Sequence, residues 1–171
     1  MGDDLLTGLA AGDAAAYQQA YDLYGSALFR TAARMLGSRH DAEDAVQEVF
    51  AAMVRNRSSL SHVTDLKAYL FAAMRHATAR MHKRQRQQAM PGLEDAAWPA
   101  DAPAEGSERA ERLWELARRL PMEQREVLAM KIQGELTFIA IGAACGISPN
   151  TAASRYRYAL EKLKQMMEQQ Q

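Results

Sequence analysis

Apolar residues recur at helical spacing along most of the chain. After Asp13, a natural cap, the rhythm runs through Tyr17, Tyr21, Tyr24 and Leu28 and continues through Ala32, Met35 and Leu36 until Gly37, which predicts a long helix stopped by glycine. Ser38 then opens "SRHDAEDAVQEVFAAMVRN", and Asp41 at the third helical position makes an acidic variant of the capping box. In that helix Ala42, Val46, Val49, Phe50 and Met53 form the apolar side and leave Asp41, Asp44, Gln47, Glu48 and Arg55 outward. A third helix follows Thr64. Its inward stripe is Leu66, Leu70, Ala73, Met74, Ala77 and Met81; Ala68, Ala72, Arg75, His76, Ala79, Lys83 and Arg86 look outward.

The rhythm stops between about Met90 and Gly106, where three prolines and two glycines stand among alanines and acids, a linker composition. Beyond it, Ser107 caps a helix bearing Ala110, Leu113, Trp114 and Ala117 that breaks at Leu120-Pro121, and a further helix runs to Gly134. Two short helices joined by "CGIS" finish the chain. Ser148 is the N-cap of the last one, and Pro149 at its first position lacks an N–H that would be unsatisfied anyway. One side of that helix carries Ala152, Tyr156, Ala159, Leu160 and Leu163, the other Asn150, Thr151, Ser154, Arg157 and Tyr158. With no alternating strand pattern, the expected architecture is all-α: two small helical domains, residues 1–88 and 109–171, joined by a flexible linker, residues 89–108.

Composition narrows the function classes. The 171 residues contain no apolar run near the roughly 20 needed to cross a bilayer, and "MGDDLLTGLA" is acidic where a signal peptide would be basic, so a cytoplasmic protein is expected. Cys145 is the single cysteine and reads as a small buried hydrophobe. The four histidines show no metal-ligand spacing, and no nucleophile–base pairing or phosphate-cradling glycine loop stands out; neither enzyme, cofactor nor metal is expected. Net charge is zero but segregated: "RHATARMHKRQRQQ" has five cations and no acid, whereas "MPGLEDAAWPADAPAEGSE" has five acids and no base.

"LTFIAIGAACGISPNTAASRYRYALEKL" has the outline of a helix-turn-helix, whose second helix enters the DNA major groove. Asn150, Thr151, Ser154 and Arg157 are candidates for base edges, with Arg155 toward phosphate; the alternative is a solvated face of an ordinary bundle. On the third helix, alanines between cations permit close approach to a phosphate backbone. The acidic face after Asp41 would repel DNA. It suits either the helix dipole or a basic protein partner, and the residues alone leave both open.

Taken together, "YDLYGSALFRTAARMLGSRHDAEDAVQEVFAAMVRN", "DLKAYLFAAMRHATARMHKRQRQ" and "LPMEQREVLAMKIQGELTFIAIGAACGISPNTAASRYRYALEKLK" resemble a bacterial sigma factor of the sigma-70 family, in its compact extracytoplasmic-function group. The resemblance covers nearly the whole chain. It implies a promoter-specific initiation factor that binds core RNA polymerase through the β′ clamp helices and the β flap, binds promoter DNA, answers to an anti-sigma factor, and is monomeric when free. Asp41, Glu43, Asp44, Gln47, Glu48 and Phe50 match the segment that binds the clamp helices. Ser58, Ser59, Ser61, His62 and Thr64, with Arg75, His76, Lys83 and Arg86, match the part that captures the minus-ten element. Ser148, Asn150, Thr151, Ser154, Arg155, Arg157 and Tyr158 match the reader of the minus-thirty-five element.

Both tryptophans lie outside the melting segment, so a flipped base is expected in a polar pocket around Ser58–Thr64 rather than on an aromatic wedge. The chain departs from the usual family pattern at His76, Arg80, Ala140 and Ala153; Ala140 forgoes the glutamate that would complete a capping box with Thr137. The linker reaches at most about 70 Å, roughly two turns of DNA. The rival reading is a helical adaptor that binds polymerase or DNA without initiating.

Overall fold

The structure is a computed structural model that describes residues 2–88 and 106–170. The linker reading falls largely on residues 89–105, outside the described part. Among the described residues every regular element is helical: α1 (Gly2–Ala11), α2 (Ala14–Leu36), α3 (Arg39–Arg55), a 3-10 turn (Arg57–His62), α4 (Leu66–Gln88), α5 (Glu108–Ala117), α6 (Met122–Ile132), α7 (Phe138–Cys145) and α8 (Pro149–Glu168).

The helix boundaries lie where the caps put them. The Asp13 carboxylate accepts from the Ala15 N–H at 3.0 Å, and Gly37, at φ 65°, closes α2 by donating to Ala33 O at 2.7 Å. Ser38, Ser107, Thr137 and Ser148 each accept from the amide three residues on. The other half of the Ser38 capping box is diverted: the Asp41 carboxylate accepts from Gln85 Nε2 of α4 at 2.5 Å. Gly146, at φ 67°, makes the turn between α7 and α8 in the left-handed region that a side chain disfavours.

Helices α1 to α4 pack around Leu9, Leu28, Met35, Met53, Leu70 and Met74, none of them solvent-exposed. The 3-10 turn is held by Leu60, also 0% exposed, which faces the α1 side of this core. Helices α5 to α8 close around Trp114, Leu128, Met130, Ile141, Ala159 and Leu163.

The two halves are packed against each other, α2 on α6 and α4 on α7. Consequently α4 has two buried faces. Beside the expected stripe, Phe71 and Thr78 are fully buried and Arg75 is half-buried. An added Cβ at Gly134 would stand 2.7 Å from the Phe71 ring, so this glycine is what lets the ring approach the turn after α6.

Two apolar assignments from the helical rhythm are corrected. Tyr21 is 53% exposed, because α2 turns it toward a groove with α3 rather than into the core. Leu160 is 41% exposed, because the core side of α8 narrows to Ala152, Ala159 and Leu163.

Candidate nucleic-acid interface

The helix-turn-helix is formed by α7 and α8. Thr137 and Ser148 cap the two helices, and the tilted contact of Phe138 with Tyr156, ring centroids 5.6 Å apart, ties the start of α7 to the middle of α8. Asn150, Thr151, Arg157 and Tyr158 are exposed, Ser154 and Arg155 half-buried. The Ser148 hydroxyl is occupied locally: it accepts from the Thr151 N–H at 3.0 Å and shares a hydrogen bond with the Thr151 hydroxyl at 2.9 Å. Arg157 lies over the Tyr158 ring, 5.5 Å from its centroid. The polar face thus offers an amide, a guanidinium and a phenol to a groove, with Ser148 serving chiefly to start the helix.

In the N-terminal half, Ser58, Ser59, Ser61 and His62 of the 3-10 turn and Thr64 just beyond it are all exposed. The residues expected to form a polar pocket thus lie on an exposed ridge. The Ser59 hydroxyl donates to Asn56 O at 2.7 Å and that of Ser61 to Ser58 O at 3.1 Å, so a short helical turn uses these groups to satisfy its own carbonyls. On α4, His76, Lys83 and Arg86 are exposed as expected.

Arg75 is different. It reaches across to α6, where Nε and Nη2 donate to the two carboxylate oxygens of Glu126 at 3.2 and 3.4 Å. Glu126 is 5% exposed in its side chain. Burial works against the Arg75 charge, but Glu126 and, after it, Cys145 together more than offset this and raise its pKa above the ordinary value. Cys145 adjoins the same pair; burial, aided by Glu126, pushes its thiol up to about 11, which keeps it protonated and unreactive. A cleft of about 510 Å³ opens beside them, between Arg75, His82, Lys83 and Arg86 on α4 and Met122, Glu123 and Glu126 on α6. Burial, with Arg125 and Arg86 nearby, lowers the His82 pKa.

The acidic face of α3 is exposed at its edges, and some of its carboxylates have cationic neighbours. Asp44 lies 3.4 Å from His40, Glu43 3.1 Å from Arg39, and one oxygen of Glu48 takes both Arg55 at 3.0 Å and Arg80 at 3.6 Å. Gln47 is exposed. Phe50 is half-buried against Tyr21, centroids 5.3 Å apart, and both line a groove of about 550 Å³ with Tyr17, Val54 and Arg57. Tyr21 and Val54 are surface residues that the helical rhythm hides, Tyr21 because it falls in step with Tyr17 and Leu28. Among the described residues no group of three or more His, Cys, Asp or Glu could hold a metal ion, and no helix is long and apolar enough to cross a membrane.

Comparison with known proteins converges on one group. Residues 20–88 match the family Sigma-70 region 2. The RNA polymerase sigma factor CarQ of Myxococcus xanthus is 31% identical over 139 residues, 79% of either chain, and the ECF RNA polymerase sigma factor SigW of Bacillus subtilis (strain 168) is 25% identical over 171 residues, 91% of either chain. Two solved structures share the fold. CnrH, in complex with the cytosolic domain of CnrY, has a TM-score of 0.75 at 19% identity over 99% of this chain and 98% of that one. The sigma factor RpoE of Bartonella quintana, in complex with the anti-sigma factor NepR, has a TM-score of 0.73 at 24% identity over 89% and 96%.

Proposed function

Because this chain belongs to the sigma-70 family of RNA polymerase sigma factors, in the extracytoplasmic-function group, we propose that its three polar surfaces act together to bring bacterial core polymerase to a promoter and start to open it. It is a transcription initiation factor whose partners are the polymerase core, promoter DNA and an anti-sigma protein. Asp41, Asp44, Gln47, Glu48 and Phe50 dock on the polymerase clamp. The ridge Ser58–Thr64 with Lys83, Arg86 and His76 receives the minus-ten element. Asn150, Thr151, Ser154, Arg155, Arg157 and Tyr158 read the minus-thirty-five element.

One observation carries this reading: an exposed acidic helix face and an exposed recognition helix occur on one chain. The first repels DNA and suits a basic protein; the second offers bidentate donors to base edges, each good pair discriminating by about 1–3 kcal/mol. An adaptor would need only one of them.

The test is transcription from a fragmented genomic library by core polymerase with and without the protein. Discrete new start sites sharing two upstream motifs are expected, lost in Asp44→Ala/Glu48→Ala through core binding and in Asn150→Ala/Arg157→Ala through promoter choice. Stable core binding with no transcripts from any fragment would refute it.

A further inference from the structure

We propose that the cleft between α4 and α6 is a binding site for a small organic diphosphate, such as a nucleoside diphosphate, held at its phosphate end by Lys83 and Arg86. The site uses both walls of the cleft and needs neither polymerase nor promoter, so it stands apart from the role given to α4 above.

The cleft has the size and the charge for such a ligand. Its volume of about 510 Å³ falls within the roughly 300–1,000 Å³ of small-molecule sites. Arg75, Ala79, His82, Lys83 and Arg86 line it from α4, and Met122, Glu123 and Glu126 from α6. These charges do not cancel. Arg75 and Glu126 satisfy each other, which leaves the exposed Lys83 and Arg86 against Glu123. The excess is felt inside the cleft: after burial, Arg125 and Arg86 are what lower the His82 pKa, and Arg125 itself is buried behind the α6 wall. An entering anion relieves this crowding of cations. Helix α6 also begins at Met122 without a side-chain cap, and its first two residues line the cleft, so its positive end adds to the same attraction.

The two ends of the cleft differ in chemistry. Lys83 and Arg86 lie three residues apart, about 4.5 Å along the axis of α4, so adjacent phosphates can each take one of them. His82, uncharged at neutral pH, can donate one hydrogen bond to the same oxygens. From Lys83 back to Arg75 is about 12 Å along the helix. Over that stretch Ala79 and Met122 present uncharged wall, and the small side chain of Ala79 leaves room that a longer one would fill. The organic part of the ligand lies there, against atoms that gain by leaving water.

His82 and Met122 report from opposite walls. The full chain, labelled at methionine methyls and histidine rings for nuclear magnetic resonance, is titrated with pyrophosphate and with ADP at constant ionic strength, with sulfate as a generic dianion. Each phosphate probe should saturate at one per chain and move the Met122 methyl and the His82 ring together. The His82 pKa should rise on binding, because a nearby anion favours the imidazolium. ADP should bind at least as tightly as pyrophosphate. Lys83→Gln/Arg86→Gln should weaken both probes at least about tenfold. Glu123→Gln should tighten them about threefold, a gain that misfolding cannot produce. Lys162→Gln/Lys164→Gln, on α8 outside the cleft, should change nothing. Shifts equalled by sulfate, binding indifferent to Lys83 and Arg86, or movement of His82 without Met122 would overturn the site. Exclusion of ADP by a cleft that takes pyrophosphate would overturn its organic end. A single-stranded oligonucleotide that moves both reporters when neither probe does would make the cleft a contact for nucleic-acid backbone instead.

Discussion

Leu60 is the one buried residue of the 3-10 turn, flanked on both sides by exposed serines. Its removal should separate the placing of the minus-ten ridge from every other property of the domain. Leu→Ala in a closed core costs about 2–5 kcal/mol, the spread reflecting how far the site collapses. The turn packs on α1, a peripheral helix of 10 residues that can settle inward, which places Leu60→Ala in the lower half, about 2–3 kcal/mol. With a urea slope of about 2 kcal/mol per molar, the midpoint should fall by about 1–1.5 M. Domains of this kind carry about 5–15 kcal/mol, so the fold survives. Polymerase affinity should be unchanged, because the α3 face is untouched. Promoter opening, read as permanganate reactivity of minus-ten thymines in the holoenzyme, should drop sharply because Ser58, Ser59 and Ser61 lose their fixed placement. Leu60→Met, which keeps the volume and costs under about 1.5 kcal/mol, should open promoters nearly as wild type does. Full opening by a Leu60→Ala protein with the expected midpoint loss would refute the reasoning.

Ala140→Glu supplies the missing half of the α7 capping box beside Thr137, and should raise stability by about 0.5–1 kcal/mol in a thermal melt, an increment absent in a Thr137→Val background. Arg34 and Glu111 should be coupled: Glu111→Leu strands a buried guanidinium, and adding Arg34→Met should recover part of the loss, giving a double-mutant interaction of about 1–2 kcal/mol in urea denaturation, where strict additivity would show the pair to be idle. The His82 pKa is lowered on folding, so below about 6.5 the unfolded chain binds more protons than the folded one, and stability should rise with pH through that window. Melting temperatures at pH 5.5 should lie below those at pH 7.5, and His82→Gln should narrow the gap.

Helix starts and stops were legible because each is a local bargain between a side chain and the backbone. Ser38, Ser107, Thr137 and Ser148 cap where their spacing from the apolar rhythm puts them, and Gly37 and Gly146 terminate α2 and α7 in the left-handed conformation. The second buried face of α4 was not legible. A hydrophobic period reveals the stripe that meets a helix's own domain, whereas Phe71 and Arg75 meet a partner that arrives across a linker, and an arginine satisfied by a distant glutamate looks in sequence like any surface cation. Tyr21 failed the other way: it keeps the rhythm of α2 yet lines a groove, since a tyrosine is as suited to an interface as to a core. The serine ridge was identified by its residues but not its shape, which depends on hydroxyls spent on their own turn.

Glu48 places its carboxylate between Arg55 of the acidic helix and Arg80 of the basic one, and Asp41 is tied to Gln85 a turn and a half further along. The surface assigned to polymerase and the helix assigned to DNA thus share counterions. A polymerase cation that draws Glu48 away changes the field felt by any phosphate approaching Arg80, and a phosphate that draws Arg80 away changes what Glu48 offers to polymerase. On the proposed roles, linkage would make these two effects equal in free energy: whatever factor core polymerase contributed to promoter affinity through this carboxylate, the promoter would return to core polymerase.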